Sequence, residues 1–136
     1  MKELTITAKT ENLDAVLNFV GEQLEAADCP IKAQTQIAIA VEEIFVNIAY
    51  YAYHPEIGGV KIRVTVGDEA VIEFEDKGKA YNPLEKDDPD VTKDAEEREI
   101  GGLGIFMVKN MMDAVEYRRE NDSNILIVKK RSKLRF

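Results

Sequence analysis

The chain has one cysteine, one histidine and four prolines among its 136 residues. Each scarcity excludes something. Cys29 alone can make neither an internal disulfide nor a thiolate metal cage. His54 alone cannot build a multi-histidine site, so transition-metal chemistry is not expected. The opening MKELTITAKTENLDAV lacks the apolar core of a signal peptide, and no apolar run reaches the ~18 residues of a membrane span. The simplest expectation is a cytoplasmic protein. Basic residues are also in short supply, with 18 Lys and Arg against 26 Asp and Glu and a net charge of −8. That argues against electrostatic binding to nucleic acid or an anionic membrane, which needs a basic face. The one basic cluster, Lys129 to Arg135, is most simply a solvated strand end.

What remains is ordinary for a globular protein: 45% hydrophobic and 32% charged residues, enough for one domain over residues 1–136 with a two-layer core. Leu4 to Ala8 alternates like a strand. Asn12 or Thr10 is placed to cap a helix carrying Leu13, Val16, Leu17, Val20 and Leu24. Pro30 opens a long helix, from about Ile31 to Tyr53, that Pro55 and Gly58-Gly59 end. Val60 to Val66 and Ala70 to Glu75 alternate around a Gly67-Asp68 turn, a hairpin. A long polar stretch rich in acids runs from Lys77 to Glu99. An apolar helix follows, then a strand at Ala114 to Tyr117, a turn over Glu120 to Asn124, and a strand at Ile125 to Val128. The order lacks regular βαβ alternation. The expected class is therefore α+β: a two-layer sandwich of a mostly antiparallel, mixed sheet covered on one face by three helices.

Three short constellations carry chemistry. On the long helix, Gln36, Glu43, Asn47 and His54 form a narrow polar stripe between apolar flanks, with Glu43 and Asn47 one turn apart. Such a pair is a solvent-facing hydrogen bond, an oxygen donor set for a hard cation such as Mg²⁺, or a carboxylate able to act as general base. Next, Asp76 and Gly78 follow the second hairpin strand. An acid before glycine is a common turn, yet an inward Asp there can accept from an exocyclic amine, with Gly78 letting backbone pass close to a flat ring. Last, Gly101-Gly102-Leu103-Gly104 opens the apolar helix. It matches neither the dinucleotide fingerprint nor a Walker A loop. It is either a hinge or a cluster of bare N–H groups where the helix dipole favours an anion, with Arg98 adding positive charge.

In this order, Glu43-x-x-x-Asn47, Asp76-x-Gly78 and Gly101-Gly102-x-Gly104 resemble the N, G1 and G2 boxes of the Bergerat-fold (GHKL) ATP-binding superfamily. The phrases VEEIFVNIAYYAY, DKGKAYNPL and REIGGLGIFMVKNMMDAVEY are similar to its anti-sigma factor serine/threonine kinase branch, over roughly residues 4 to 130. The resemblance implies ATP and Mg²⁺ as ligands, with Asn47 on the metal and Glu43 as the base for an attacking protein hydroxyl. It implies Asp76, Gly78 and Ala80 at adenine, and Arg98, Gly101, Gly102, Leu103 and Gly104 at the phosphates, under a lid of about residues 82–100. It also implies a STAS-type anti-anti-sigma partner, a sigma factor and a homodimer. A nucleotide-gated binding module without phosphoryl transfer is the other reading. Three departures stand out. Ala80 replaces the last glycine of the G1 box, Tyr51 stands where many relatives have histidine, and Ile125 to Val128 offers no threonine near adenine.

Overall fold

The structure, a computed structural model, describes residues 1–85 and 102–133, and of residues 102 and 103 the backbone alone. Five strands form one sheet: β1 (Lys2–Thr7), β2 (Gly59–Val66), β3 (Glu69–Asp76), β4 (Ala114–Glu120) and β5 (Ser123–Arg131), in the order β1-β2-β3-β5-β4. Every pairing among the described residues is antiparallel. Three helices, α1 (Leu13–Ala26), α2 (Ile31–Asn47) and α3 (Gly102–Met111), cover one face. This is the expected α+β sandwich.

Period-two alternation decides which side chains meet the helices. Val60, Ile62 and Val64 on β2, Ala70, Ile72 and Phe74 on β3, and Leu126 and Val128 on β5 are buried. Against them lie Val16, Val20 and Leu24 of α1, Ile37, Val41, Ile44 and Phe45 of α2, and Ile105 and Val108 of α3. Each large side chain buried this way contributes about 1.5–3 kcal/mol relative to exposure. The other sheet face carries an ionic network beside the buried Ile125 and Ile127. From β2, Arg63 donates to Glu3 (3.1 Å) on β1 and to Glu73 (3.3 Å) and Glu75 (2.6 Å) on β3.

Three local expectations are corrected. Asn12 does not cap α1 through its oxygen; its Nδ2 donates backward to the Thr7 carbonyl at 2.9 Å, and residues Thr10–Asn12 form a separate 3-10 turn. The long helix changes winding after Asn47, with Ile48–Ala52 forming a π-helical turn. The β4–β5 turn is also tighter than its five-residue sequence signal. Asn121 and Asp122 take positive φ values of 52° and 62°, so two residues suffice to reverse the chain and β5 begins at Ser123. Asn124 thereby moves from an expected turn onto a strand.

Candidate functional site

The alternation that buries Ala70, Ile72 and Phe74 carries Asp76 onto the same inward face, at the strand end where helix cover runs out. Asp76 is only 6% exposed. One carboxylate oxygen, Oδ1, accepts from the Gly78 N–H (2.9 Å) and from Asn124 Nδ2 (3.0 Å). Its other oxygen takes no hydrogen bond from any described residue. Burial pushes the Asp76 carboxyl above its ordinary range, opposed by the bonds from Asn124 and Gly78 and by the charge of Arg119. A buried carboxylate with one oxygen unsatisfied is costly alone and suited to accepting from a ligand N–H.

Asn124 sits opposite Asp76 in the β3–β5 register. Its Nδ2 also donates to the Lys79 carbonyl (2.9 Å), while its Oδ1 accepts from the Tyr81 N–H (3.2 Å) and the Tyr117 hydroxyl (2.5 Å). The segment after β3 is tied down from other directions as well. The Lys79 N–H donates to the Ala52 carbonyl (3.0 Å) at the end of the π turn. Arg119 donates to the Gly78 carbonyl (2.9 Å). The Tyr53 hydroxyl donates to the Gly59 carbonyl (2.6 Å) and accepts from the Lys77 N–H (2.8 Å), joining the end of the long helix to both hairpin strands.

Between this segment and α2 lies a cleft of about 400 Å³. Asp76 and Asn124 mark its sheet side, Asn47, Ile44 and Tyr51 its helix side, and Ala80, Tyr81 and Ile105 complete much of its wall. The helical period explains the helix side: Ile44 and Phe45 point into the core, leaving Asn47, three residues past Ile44, half-buried at the cleft. Apolar walls with a few convergent polar groups are what a small-molecule site requires. Among the described residues, no group of three His, Cys, Asp or Glu is placed to hold a metal.

The expected site residues divide by place. Asn47, Asp76 and Ala80 line the cleft, and Gly78 braces Asp76 from behind. Glu43 is outside that lining, one turn back along α2. It faces the first turn of α3, where a Cβ built on Gly104 would lie 2.5 Å from Glu43 Oε2. Gly102 and Leu103 begin α3. Arg98 and Gly101 lie outside the described residues, as does the expected lid beyond Glu85; Pro83–Glu85 form a 3-10 turn. Sequence reasoning missed Asn124, Tyr117, Tyr53 and Arg119. Reading Asn121-Asp122 as a two-residue turn would have put Asn124, Leu126 and Val128 on one inward face, with Asn124 next to Asp76.

An antiparallel sheet backed by three helices, with Asn47 of α2 and Asp76 of β3 lining one cleft, defines a GHKL-type domain. The chain belongs to the family described as the histidine kinase-like ATPase domain, which matches residues 6–130, and within it is anti-sigma kinase-like. It is similar to an anti-sigma F factor of Caldanaerobacter subterraneus subsp. tengcongensis, 29% identical over 117 residues (85% of this chain, 82% of that one). It is also similar to the serine/threonine-protein kinase BtrW of Bordetella bronchiseptica, 26% identical over 128 residues (91% and 87%). Among solved structures, the RsbU and RsbW domains of Rv1364c from Mycobacterium tuberculosis match with a TM-score of 0.67 at 12% identity, over 96% of this chain and 32% of that one. The histidine kinase domain of Erythrobacter litoralis EL346 matches with a TM-score of 0.59 at 17% identity, over 88% and 61%. At these identities the structural matches establish the fold.

Proposed function

We propose that this protein binds ATP in the cleft between α2 and the strand ends, and transfers its γ-phosphoryl group to a serine or threonine of a STAS-type antagonist. In the same reading it sequesters a sigma factor as a homodimer and exchanges partners with nucleotide state. One observation carries the proposal: Asn47 and Asp76 face a single cleft while Glu43, one turn along the same helix, meets Gly104 at the mouth of α3. That spacing separates a base-reading end from a phosphate-handling end.

The residues fit the nucleotide. The unsatisfied oxygen of Asp76 suits the exocyclic amine of adenine, and the apolar walls suit its ring. At the other end, the glycines Gly101, Gly102 and Gly104 would leave backbone N–H groups for phosphate oxygens. Asn47 would offer its side-chain oxygen to Mg²⁺, which takes most of its ligands from water and phosphate and needs no protein cage. When bound, that ion neutralises phosphate charge. Glu43 would take the proton of the attacking hydroxyl as its oxygen bonds to the γ-phosphorus and ADP leaves. In such chemistry the protein chiefly positions and neutralises, consistent with a site of few reactive groups.

The test is transfer of labelled γ-phosphate from ATP to the cognate antagonist in the presence of Mg²⁺. Transfer abolished by Glu43→Gln, with ATP binding retained, is expected. Nucleotide-dependent partner binding without any transfer would instead identify a switch that performs no chemistry. Absence of any thermal shift with ATP or ADP would refute both, since ligand at 100 times its Kd adds roughly 2.7 kcal/mol.

A further inference from the structure

Asn124 makes four hydrogen bonds, two donated and two accepted. The partners settle which end of the amide is which. Asp76 Oδ1 and the Lys79 carbonyl can only accept, so they require the NH₂ group. The Tyr81 N–H can only donate, so it requires the oxygen. No other side chain of this size supplies that set. A threonine hydroxyl has one proton to donate, and an ionised aspartate has none. Asn124 is thus saturated and has no group left for a ligand.

Its effect is exerted through Asp76. The amide proton from Asn124 and the Gly78 N–H together occupy Asp76 Oδ1, so that oxygen carries no proton. Both bonds favour the ionised carboxylate, and in that form Asp76 meets the cleft as a pure acceptor through Oδ2. Resting on the nucleotide-site reading above, we propose that Asn124 is the positioning residue that makes this cleft select a base bearing an exocyclic amine over a base bearing a carbonyl at the same place. The assignment concerns this chain's own hub; Asp76 reads the base, and Asn124 decides what Asp76 can read.

Among the described residues, the charged and titratable neighbours of Asp76 are few. Glu75 precedes it on β3, Arg119 approaches from β4, Tyr53 comes from the end of the π turn, and Lys77 and Lys79 follow in the loop. Tyr117 reaches it only through Asn124. On α2 the cleft residues Asn47 and Ile44 do not titrate. Asn124→Asp places a second carboxyl about where Nδ2 now lies, 3.0 Å from Asp76 Oδ1. That change removes the donated N–H and sets like charges side by side, so Asp76 holds a proton to higher pH, and a proton on Oδ2 turns it into a donor toward the cleft.

The experiment measures binding of ATP and of inosine triphosphate, which differs by a carbonyl in place of the amine, by calorimetry across pH 5.5–8.5. The Asp76 carboxyl is followed in parallel by ¹³C NMR without nucleotide. The wild-type protein should prefer ATP by at least about tenfold. In Asn124→Asp the preference should narrow to within about threefold, and the Asp76 titration should move to higher pH. If Asn124→Asp does not fold, Asn124→Thr, which keeps one donor and adds no charge, should still narrow the preference and shift the Asp76 signal. An unchanged ratio together with an unchanged Asp76 titration in the folded variant overturns the proposal. Wild-type protein that binds ATP and inosine triphosphate equally overturns it while leaving the nucleotide site standing. Wild-type protein that binds neither refutes the nucleotide site itself and, with it, the selection of a base.

Discussion

Gly78 lays its bare Cα against the backbone carbonyl of Ala52, and the next residue, Lys79, donates its N–H to that same oxygen at 3.0 Å. A β-carbon at position 78 would collide with the Ala52 carbonyl, carbon and side chain together. Backbone at the end of a packed helix cannot swing aside. Gly78→Ala should therefore cost about 1–3 kcal/mol and loosen the segment that holds Asp76. Chemical denaturation measures the first effect and ATP affinity the second, and both should fall together.

Gly104 presents the opposite case. The atom nearest a new β-carbon there is Glu43 Oε2, the far end of a flexible side chain. Glu43 can move, and alanine is the better helix former by about 0.8–1 kcal/mol. Gly104→Ala should leave the melting temperature unchanged or raised, with nucleotide binding largely intact. Phosphoryl transfer should nonetheless drop at least roughly tenfold, because a general base works only within hydrogen-bond reach of its proton. A variant that is more stable yet slower would separate Glu43's placement from the fold.

Asp76 trades stability for a ligand. Burial raises its carboxyl in the folded state above its ordinary value of 3.8, so the native protein binds the proton more tightly than the unfolded chain. Stability then falls as pH rises from that value through the folded-state midpoint, and stays lower above it. Asp76→Asn keeps an oxygen for the Gly78 and Asn124 donors and removes the buried charge. It should raise the thermal midpoint at pH 7 and flatten that part of the pH profile. ATP affinity should fall about 10- to 100-fold. A destabilised Asp76→Asn would contradict this account of the buried carboxylate.

Arg63 carries the opposite sign on the other face of the sheet. Its bond to Glu75 lowers the Glu75 carboxyl below its ordinary value of 4.5. The stabilisation is present above the unfolded value and is lost as pH falls through the lower folded one. Arg63 is about one-fifth exposed and binds three acids, so Arg63→Met should cost about 1–2 kcal/mol at pH 7, mostly from leaving Glu3, Glu73 and Glu75 facing one another. The cost should shrink below about pH 4, as the carboxylates protonate. Urea titrations at pH 3.5 and pH 7 measure the difference. Nucleotide affinity should not change.

Much of this was legible from the sequence because burial follows period. The alternation through Val60–Val66 and Ala70–Glu75 set the hairpin, and apolar spacing on α2 left Glu43 and Asn47 on a polar strip. The capping role given to Asn12 failed because its amide found a closer partner in the Thr7 carbonyl. The end of the long helix was placed near Tyr53, yet its change to π winding after Asn47 left no mark in the sequence pattern.

Chain order and residue type by themselves determined the elements and the helix-covered face of the sheet, since these depend on local periodicity and on neighbours three or four positions apart, while Glu43, Asn47, Asp76, Gly78 and Gly104 stood out through the resemblance of their motifs to the three boxes. Only the tertiary structure decided that Asn124, 48 residues from Asp76, supplies its fixed hydrogen bond, that Tyr53 and Arg119 clamp the intervening loop, and that Gly78 must be bare. Those contacts hang on strand register and on a two-residue turn at Asn121-Asp122, and a register shift of one residue would face Asn124 away from the cleft.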